Sequence, residues 1–177
     1  MVERAGCRLV YQATANGELA AVIECPSRWH SVDLLDAMTW EDSRDPELHQ
    51  LASDIVARGD HDLIPPARLL AWVHEHVPFV PEEIETFKGW RHTVANGGDC
   101  DDSARLLTAM LRALDWLARL SIFEDADGDP VHVAAQVDDG TAWRWLEGTV
   151  PGALVGESPQ EACRRLGFKI RPDLEVG

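Results

Sequence analysis

Apolar and polar positions change period several times along the chain, and each change marks an element. Over residues 8–25 they alternate loosely around Asn16-Gly17, which predicts two strands, 8–11 and 19–23, joined by a tight turn. Residues 26–44 are mixed and predict only a short helix at 32–38. A helical period starts at Asp45-Pro46, with Asp as N-cap and Pro in the first turn. Leu48, Leu51, Ala52, Ile55 and Val56 make its apolar face, and Gly59 ends it. A second helix starts at Pro65-Pro66, carries Leu69, Leu70, Val73 and Val77 at helical spacing, and stops at Pro78. Residues 78–98 read as loop, broken by Pro78, Pro81, Gly89, Gly97 and Gly98. The most regular helix runs from Asp99-Cys100 to about Trp116, with Cys100, Ala104, Leu107, Leu111 and Leu114 on one face. Strands follow at 117–123, 131–137 and 141–147, and a short helix at 159–166.

The strand at 131–137 alternates cleanly, with Val131, Val133, Ala135 and Val137 on one face and His132, Ala134 and Gln136 on the other. Asp139-Gly140 is a favoured two-residue type I′ turn. In that register Asp138 pairs with Thr141, and His132 falls directly opposite Glu147, with Cβ atoms about 4.5–5.5 Å apart. A three-residue loop would break the pair. A carboxylate beside an imidazole orients it and favours its protonated form. Cys100 is the natural group for such a histidine to serve. It opens a helix on the face that packs against the sheet, where the helix terminus and an imidazolium both favour a thiolate. The N–H groups there also suit an oxyanion. Asp99, Asp101 and Asp102 flank the thiol, and their charge works against a thiolate unless they cap the helix or point outward. Alone, a cysteine at a helix start is usually inert core, and a strand histidine usually a satisfied polar residue. The pairing is what raises them to candidates.

Composition narrows the partners. The chain has 177 residues, with 16 Lys and Arg against 31 Asp and Glu, a formal charge of −15. That balance argues against a phosphate-binding surface and hence against nucleic acid. At 45% hydrophobic and 27% charged the composition is that of one globular domain with a core. We read 1–44 as an N-terminal appendage (hairpin and short helix) and 45–177 as the main domain. The four cysteines form no CxxC pair, so neither a zinc ribbon nor a disulfide framework is expected. No apolar run approaches the roughly 18 residues of a membrane span, and the first residues lack the apolar core of a signal peptide. The expected setting is the cytoplasm, or a phage particle that carries the chain.

Several motifs are set aside. Asp125-Ala126-Asp127-Gly128-Asp129 lacks the Gly and Glu positions of a calcium loop and reads as a turn. His74-Glu75-His76 is not HExxH, and its histidines point to different helix faces. No metal or cofactor is expected. Trp143 and Trp145 share the Glu147 face; packing between sheet and helix is favoured over a role as cleft wall. Glu82-Glu83-Ile84-Glu85 reads as a solvated loop, a rim that would favour basic substrates.

The segment Gly98-Asp99-Cys100-Asp101-Asp102-Ser103-Ala104-Arg105-Leu106-Leu107 resembles the nucleophile motif of the transglutaminase-like superfamily, a branch of the papain-like cysteine enzymes. His132-Val133 and Trp143-Arg144-Trp145-Leu146-Glu147-Gly148-Thr149 resemble its histidine and acid segments, in the right order. Val77-Pro78-Phe79-Val80-Pro81 resembles the stretch that leads to the nucleophile loop, and Gly156-Glu157-Ser158-Pro159 would be at home in small bacterial and phage-encoded members. The resemblance covers about residues 45–160. It implies an α+β, papain-like fold in which a helical part carries the nucleophile against an antiparallel sheet. It also implies Cys100 as nucleophile, His132 as general base and acid, and Glu147 as orienting acid. Two positions depart from the family: Glu147 stands where Asp is usual, and Gly148 where Pro is common. A longer carboxylate can still reach an imidazole. Trp90, His92 and Asn96 precede the motif, and none is a clear second oxyanion donor. The implied activity is acyl transfer on a peptide or protein substrate, by hydrolysis or transamidation. The alternative is a catalytically quiet structural, adaptor or peptide-binding module in an assembly such as a phage particle.

Overall fold

A computed structural model describes residues 8–13, 19–24, 27–81, 87–125 and 127–168. The element order is β1 (Arg8–Ala13), β2 (Leu19–Glu24), α1 (Arg28–Asp42), α2 (Pro46–Arg58), α3 (Pro65–His76), α4 (Trp90–Asn96), α5 (Cys100–Ala113), β3 (Ala118–Glu124), β4 (Pro130–Asp138), β5 (Trp143–Leu146) and α6 (Pro159–Leu166). β1 and β2 pair antiparallel as a separate two-stranded sheet. Their connecting Asn16-Gly17 lies outside the described residues. β3, β4 and β5 form an antiparallel sheet in that order. The fold is the expected mixture of helices and an antiparallel sheet.

The signals that bound α2 and α3 act as expected, and α6 forms at the expected residues. Asp45 caps α2 by accepting from the Glu47 N–H at 2.9 Å, and Gly59 closes it. Pro65 and Pro66 open α3. Ser158 and Glu161 form a reciprocal capping box at α6. The Asp125 carboxylate accepts from the N–H groups of Asp127 and Asp129, which makes that acidic stretch a turn. Two helices differ from expectation in their extent or existence. α1 spans 15 residues rather than the seven of 32–38. α4 forms inside the stretch read as loop, bounded by Gly89 and Gly97.

α5 differs most. One buried face was expected, yet every residue from Asp101 to Leu111 is buried. α1, α2, α3, α4, β3 and β4 all pack against it. Leu106, Leu107, Met110 and Leu111 join Leu48, Leu69 and Val73 of the helices to Ala135, Val137 and Leu146 of the sheet. Its charged residues are buried because they are paired. Arg105 Nε meets Asp42 at 2.8 Å, and Arg112 Nη2 meets Asp36 at 2.9 Å, both on α1.

The β4–β5 register corrects the expected turn. Asp138 pairs with Trp143, not Thr141, so the loop holds four residues, 139–142. The cause is the Asp139 side chain. It accepts from the N–H groups of Thr141 and Ala142 and from the Thr141 hydroxyl, and the Asp139 N–H closes the loop onto the Ala142 carbonyl at 3.1 Å.

Candidate active site

His132 and Glu147 meet despite the changed register. The slip is by two residues, and side chains alternate with period two, so both remain on one face. The direct pair becomes a diagonal one, which a side chain as long as glutamate can span. A bulge also falls here. Phe123 pairs with His132, the next pair is Glu124 with Pro130, and Val131 is left over. Such bulges bend a strand and re-aim the neighbouring side chain.

His132 Nε2 lies 2.7 Å from Glu147 Oε2. Glu147 is fully buried, at 0% exposure. Its second oxygen, Oε1, accepts from the Thr149 N–H at 2.8 Å and the Thr149 hydroxyl at 2.6 Å. A buried carboxylate with every contact a donor is held as an anion. Burial alone would push Glu147 up; the His132 contact and Thr149 outweigh it, and the pKa is lowered.

Cys100 is the first residue of α5 and is a free, half-buried thiol. It lies within hydrogen-bonding reach of His132. Glu147 occupies Nε2, so Nδ1 is the ring nitrogen left for the sulfur. Burial opposes a charge on His132. The contacts with Cys100 and then Glu147 overcome it and raise the imidazole to about 10. The helix N-terminus, β4 and the end of β5 thus bring Cys100, His132 and Glu147 together.

The approach to Cys100 depends on two glycines. Gly97 has φ +84°, and a Cβ there would sit 2.2 Å from the Pro78 carbonyl oxygen. At Gly98 a Cβ would lie 2.4 Å from Asp102. With neither side chain present, Phe79 forms a parallel bridge to Gly98, with the Val80 N–H donating to the Gly98 carbonyl at 2.9 Å. The flanking acids behave differently from one another. Asp99 makes no side-chain cap. Asp102 is buried and meets Lys88 Nζ at 3.3 Å. Burial raises Asp102, Lys88 pulls the other way, and Asp99 adds to the rise. Carboxylate oxygens of Asp99, Asp101 and Asp102 lie within 4.8 Å of one another.

Of the three upstream residues, two have other side-chain engagements. The Trp90 indole donates to Asp45 at 3.1 Å, and the Asn96 amide to the His92 carbonyl at 3.2 Å. His92 itself is exposed. The tryptophans of β5 depart from the favoured reading. Trp145 packs on Phe123 at 5.1 Å between ring centroids, and Phe123 contacts His132 at 5.6 Å. Trp143 lies under Arg119. Leu146, between Trp145 and Glu147, is the β5 residue that joins the core with α5. Glu82-Glu83-Ile84-Glu85 lies outside the described residues.

Three residues near the site were not found from the sequence. Phe123 carries no pattern of its own; Thr149 closes the acid segment that resembles the family, but nothing in that segment assigns it the role of a donor to Glu147. His74, set aside with its neighbours as a metal motif, places Nε2 2.8 Å from the Glu147 carbonyl. Cys163 of α6 is a second free thiol, pushed up by burial and by the Glu147 charge.

Comparison with known proteins gives a consistent picture. A family model described as the transglutaminase-like superfamily matches residues 49–149, more than half of the chain. No curated protein matches by sequence. Among solved structures, a candidate protease from Parabacteroides distasonis is 13% identical, with a TM-score of 0.54, over 79% of this chain and 35% of its own. A candidate cysteine protease from Cytophaga hutchinsonii is 19% identical, with a TM-score of 0.49, over 66% of this chain and 43% of its own. The chain therefore spans less than half the length of either protein, and what it shares with the first is the fold. No described helix is long and apolar enough to cross a membrane.

Proposed function

The chain belongs to the transglutaminase-like superfamily, and from that premise we propose that it is a cysteine-nucleophile acyl-transfer enzyme acting on peptide or protein amides. The observation that carries this reading is the arrangement around His132. One ring nitrogen is held at 2.7 Å by a fully buried glutamate, and Cys100 lies within reach of the ring at a helix N-terminus.

The chemistry runs in two stages. The Cys100 thiol gives its proton to His132, and the thiolate attacks the carbonyl carbon of a carboxamide. The Cys100 N–H at the start of α5 suits the developing oxyanion. His132 then donates its proton to the leaving amine as the C–N bond breaks, which leaves a thioester. Neutral His132 takes a proton from water or from a second amine as that nucleophile attacks the thioester, and Cys100 departs as thiolate. Water gives hydrolysis; a lysine amine gives a cross-link. Glu147 holds the ring throughout and favours its charged form.

The test is iodoacetamide alkylation followed at each cysteine by mass spectrometry across pH, with His132→Ala as control. Cys100 should react at least about tenfold faster than Cys163 near neutral pH and lose that advantage in the variant. Ordinary reactivity at Cys100 in the folded protein would favour a catalytically quiet structural or adaptor module instead. A fast, His132-dependent thiol would justify screening glutamine- and lysine-containing peptides for ammonia release and cross-linking.

A further inference from the structure

Glu147 is anchored at two places, and only one of them is its carboxylate. β5 ends at Leu146, so the Glu147 main chain lies just past the last ladder pair, Ala135 with Leu146. Its carbonyl instead faces His74 Nε2, 2.8 Å away, from the last turn of α3. A carbonyl only accepts, so Nε2 carries the proton. The other ring nitrogen, Nδ1, faces the Gly152 N–H at 3.4 Å, where it can only accept. The two contacts select one tautomer and span the turn that follows the acid. Gly152 is held from its other side, where its carbonyl accepts from Arg165 Nη2 at 2.7 Å, and Arg165 is paired with Glu157.

We propose that His74 is a positioning residue for the reaction, holding the Glu147 main chain so that its carboxylate meets His132. The proposal rests on the reading of Cys100 and His132 as the reacting pair. Its physical basis is lever length. The Glu147 carboxylate must reach a diagonal neighbour, and the 2.7 Å contact tolerates little drift of the backbone that carries it. A shift of about 1 Å would stretch that bond past useful length, and displacements of this size can cost about a hundredfold in rate. Helix α3 thereby becomes part of the site without touching a substrate. His76, two residues on, is engaged elsewhere; it stacks on Trp72 and faces that residue's carbonyl.

The test compares His74→Phe with His74→Gln. Phenylalanine keeps the ring volume and removes both contacts. The glutamine amide can still present an N–H to the Glu147 carbonyl. Two readouts are taken beside thermal melting: the rate of Cys100 alkylation at neutral pH, and the proton resonance on His132 Nε2 in protein labelled with nitrogen-15 histidine. The expected result is a fall of about tenfold or more in alkylation for His74→Phe, with loss or upfield movement of the His132 proton. His74→Gln should stay within about threefold of the native rate and keep the resonance. A folded His74→Phe with native rate and resonance would overturn the proposal, as would His74→Gln impaired equally with His74→Phe. If His74→Phe does not fold, His74→Asn replaces it, since its amide is too short to reach the same carbonyl; native behaviour in that variant would equally overturn the proposal. If Cys100 of the native protein reacts as an ordinary thiol, the acyl-transfer reading fails, while the His132 resonance still decides whether His74 positions Glu147.

Discussion

The length of the acid at position 147 matters because the backbone behind it is pinned. Glu147→Asp withdraws the carboxylate by about 1.5 Å, and the His74 contact limits how far the main chain can follow. Alkylation of Cys100 in Glu147→Asp should therefore fall between the native rate and that of Glu147→Gln, which keeps the reach and loses the charge; an aspartate variant at the native rate would show that the acid is not position-limited. The charged pair also sets a pH window for stability. His132 is raised from 6.5 to about 10, so its contribution is complete below about pH 6.5 and declines as pH rises toward 10. Glu147 is lowered from 4.5, so its contribution is complete above that value and is lost as pH falls through the lower folded one. The gap in unfolding free energy between the native chain and His132→Phe/Glu147→Gln should thus be widest near pH 5–6. Urea titrations from about pH 4 to 10 would measure it; a gap that widened toward pH 10 would refute the assignment. At this scale the sequence reading was right about faces and wrong about register. Asp139 binds several donors with its side chain, which no two-residue turn rule anticipates. The parity of the strand kept His132 and Glu147 on one face regardless.

Helices were legible where apolar residues alone face inward and obscured where charged residues do. α2 and α3 each have an apolar stripe, bounded by the Asp45 cap and Gly59 in the first and by Pro65-Pro66 and Pro78 in the second, so their limits could be read. α1 turns Asp36 and Asp42 toward α5 beside Leu34, Leu35 and Thr39, and the mixed face hid most of its length. α5 hid the burial of residues 101–111 for the same reason, because Asp102 and Arg105 are buried against Lys88 and Asp42, whose side chains are largely shielded themselves. Asp42→Ala tests how much one such pairing matters. It leaves the Arg105 guanidinium buried with the Lys88 carbonyl as its remaining hydrogen-bond partner among the described residues. Breaking a buried pair from one side costs about 3–5 kcal/mol. We expect about 3 kcal/mol lost in chemical denaturation. A loss below about 0.5 kcal/mol would show that water reaches the arginine.

Over the whole molecule, the region resembling the family begins near residue 45, yet α1 lies before it and is built into the core. Leu34 and Leu35 are buried, and α1 supplies the carboxylates for both Arg105 and Arg112. A chain of residues 45–177 should accordingly lose cooperative melting or drop in Tm by more than about 10 °C, since 1 kcal/mol corresponds to roughly 2–4 °C in a domain of this size. Circular dichroism melts would decide it. An unchanged Tm would make residues 1–44 a detachable appendage. The net charge of −15 acts at longer range. Lysine-rich peptides should be processed faster than acidic ones at low ionic strength, and that preference should shrink as salt is added.

The enclosure of α5 has a consequence in time as well as in space. Amide protons in a helix walled in on every side exchange with solvent only when the whole domain opens, whereas exposed helices exchange through local fraying. Deuterium uptake over residues 104–111 should consequently be the slowest in the chain and set by global stability. Cys100, the proposed nucleophile, sits at the head of that helix. Inactivation on heating should then track global unfolding, with no earlier step in which the site melts while the remainder of the fold persists.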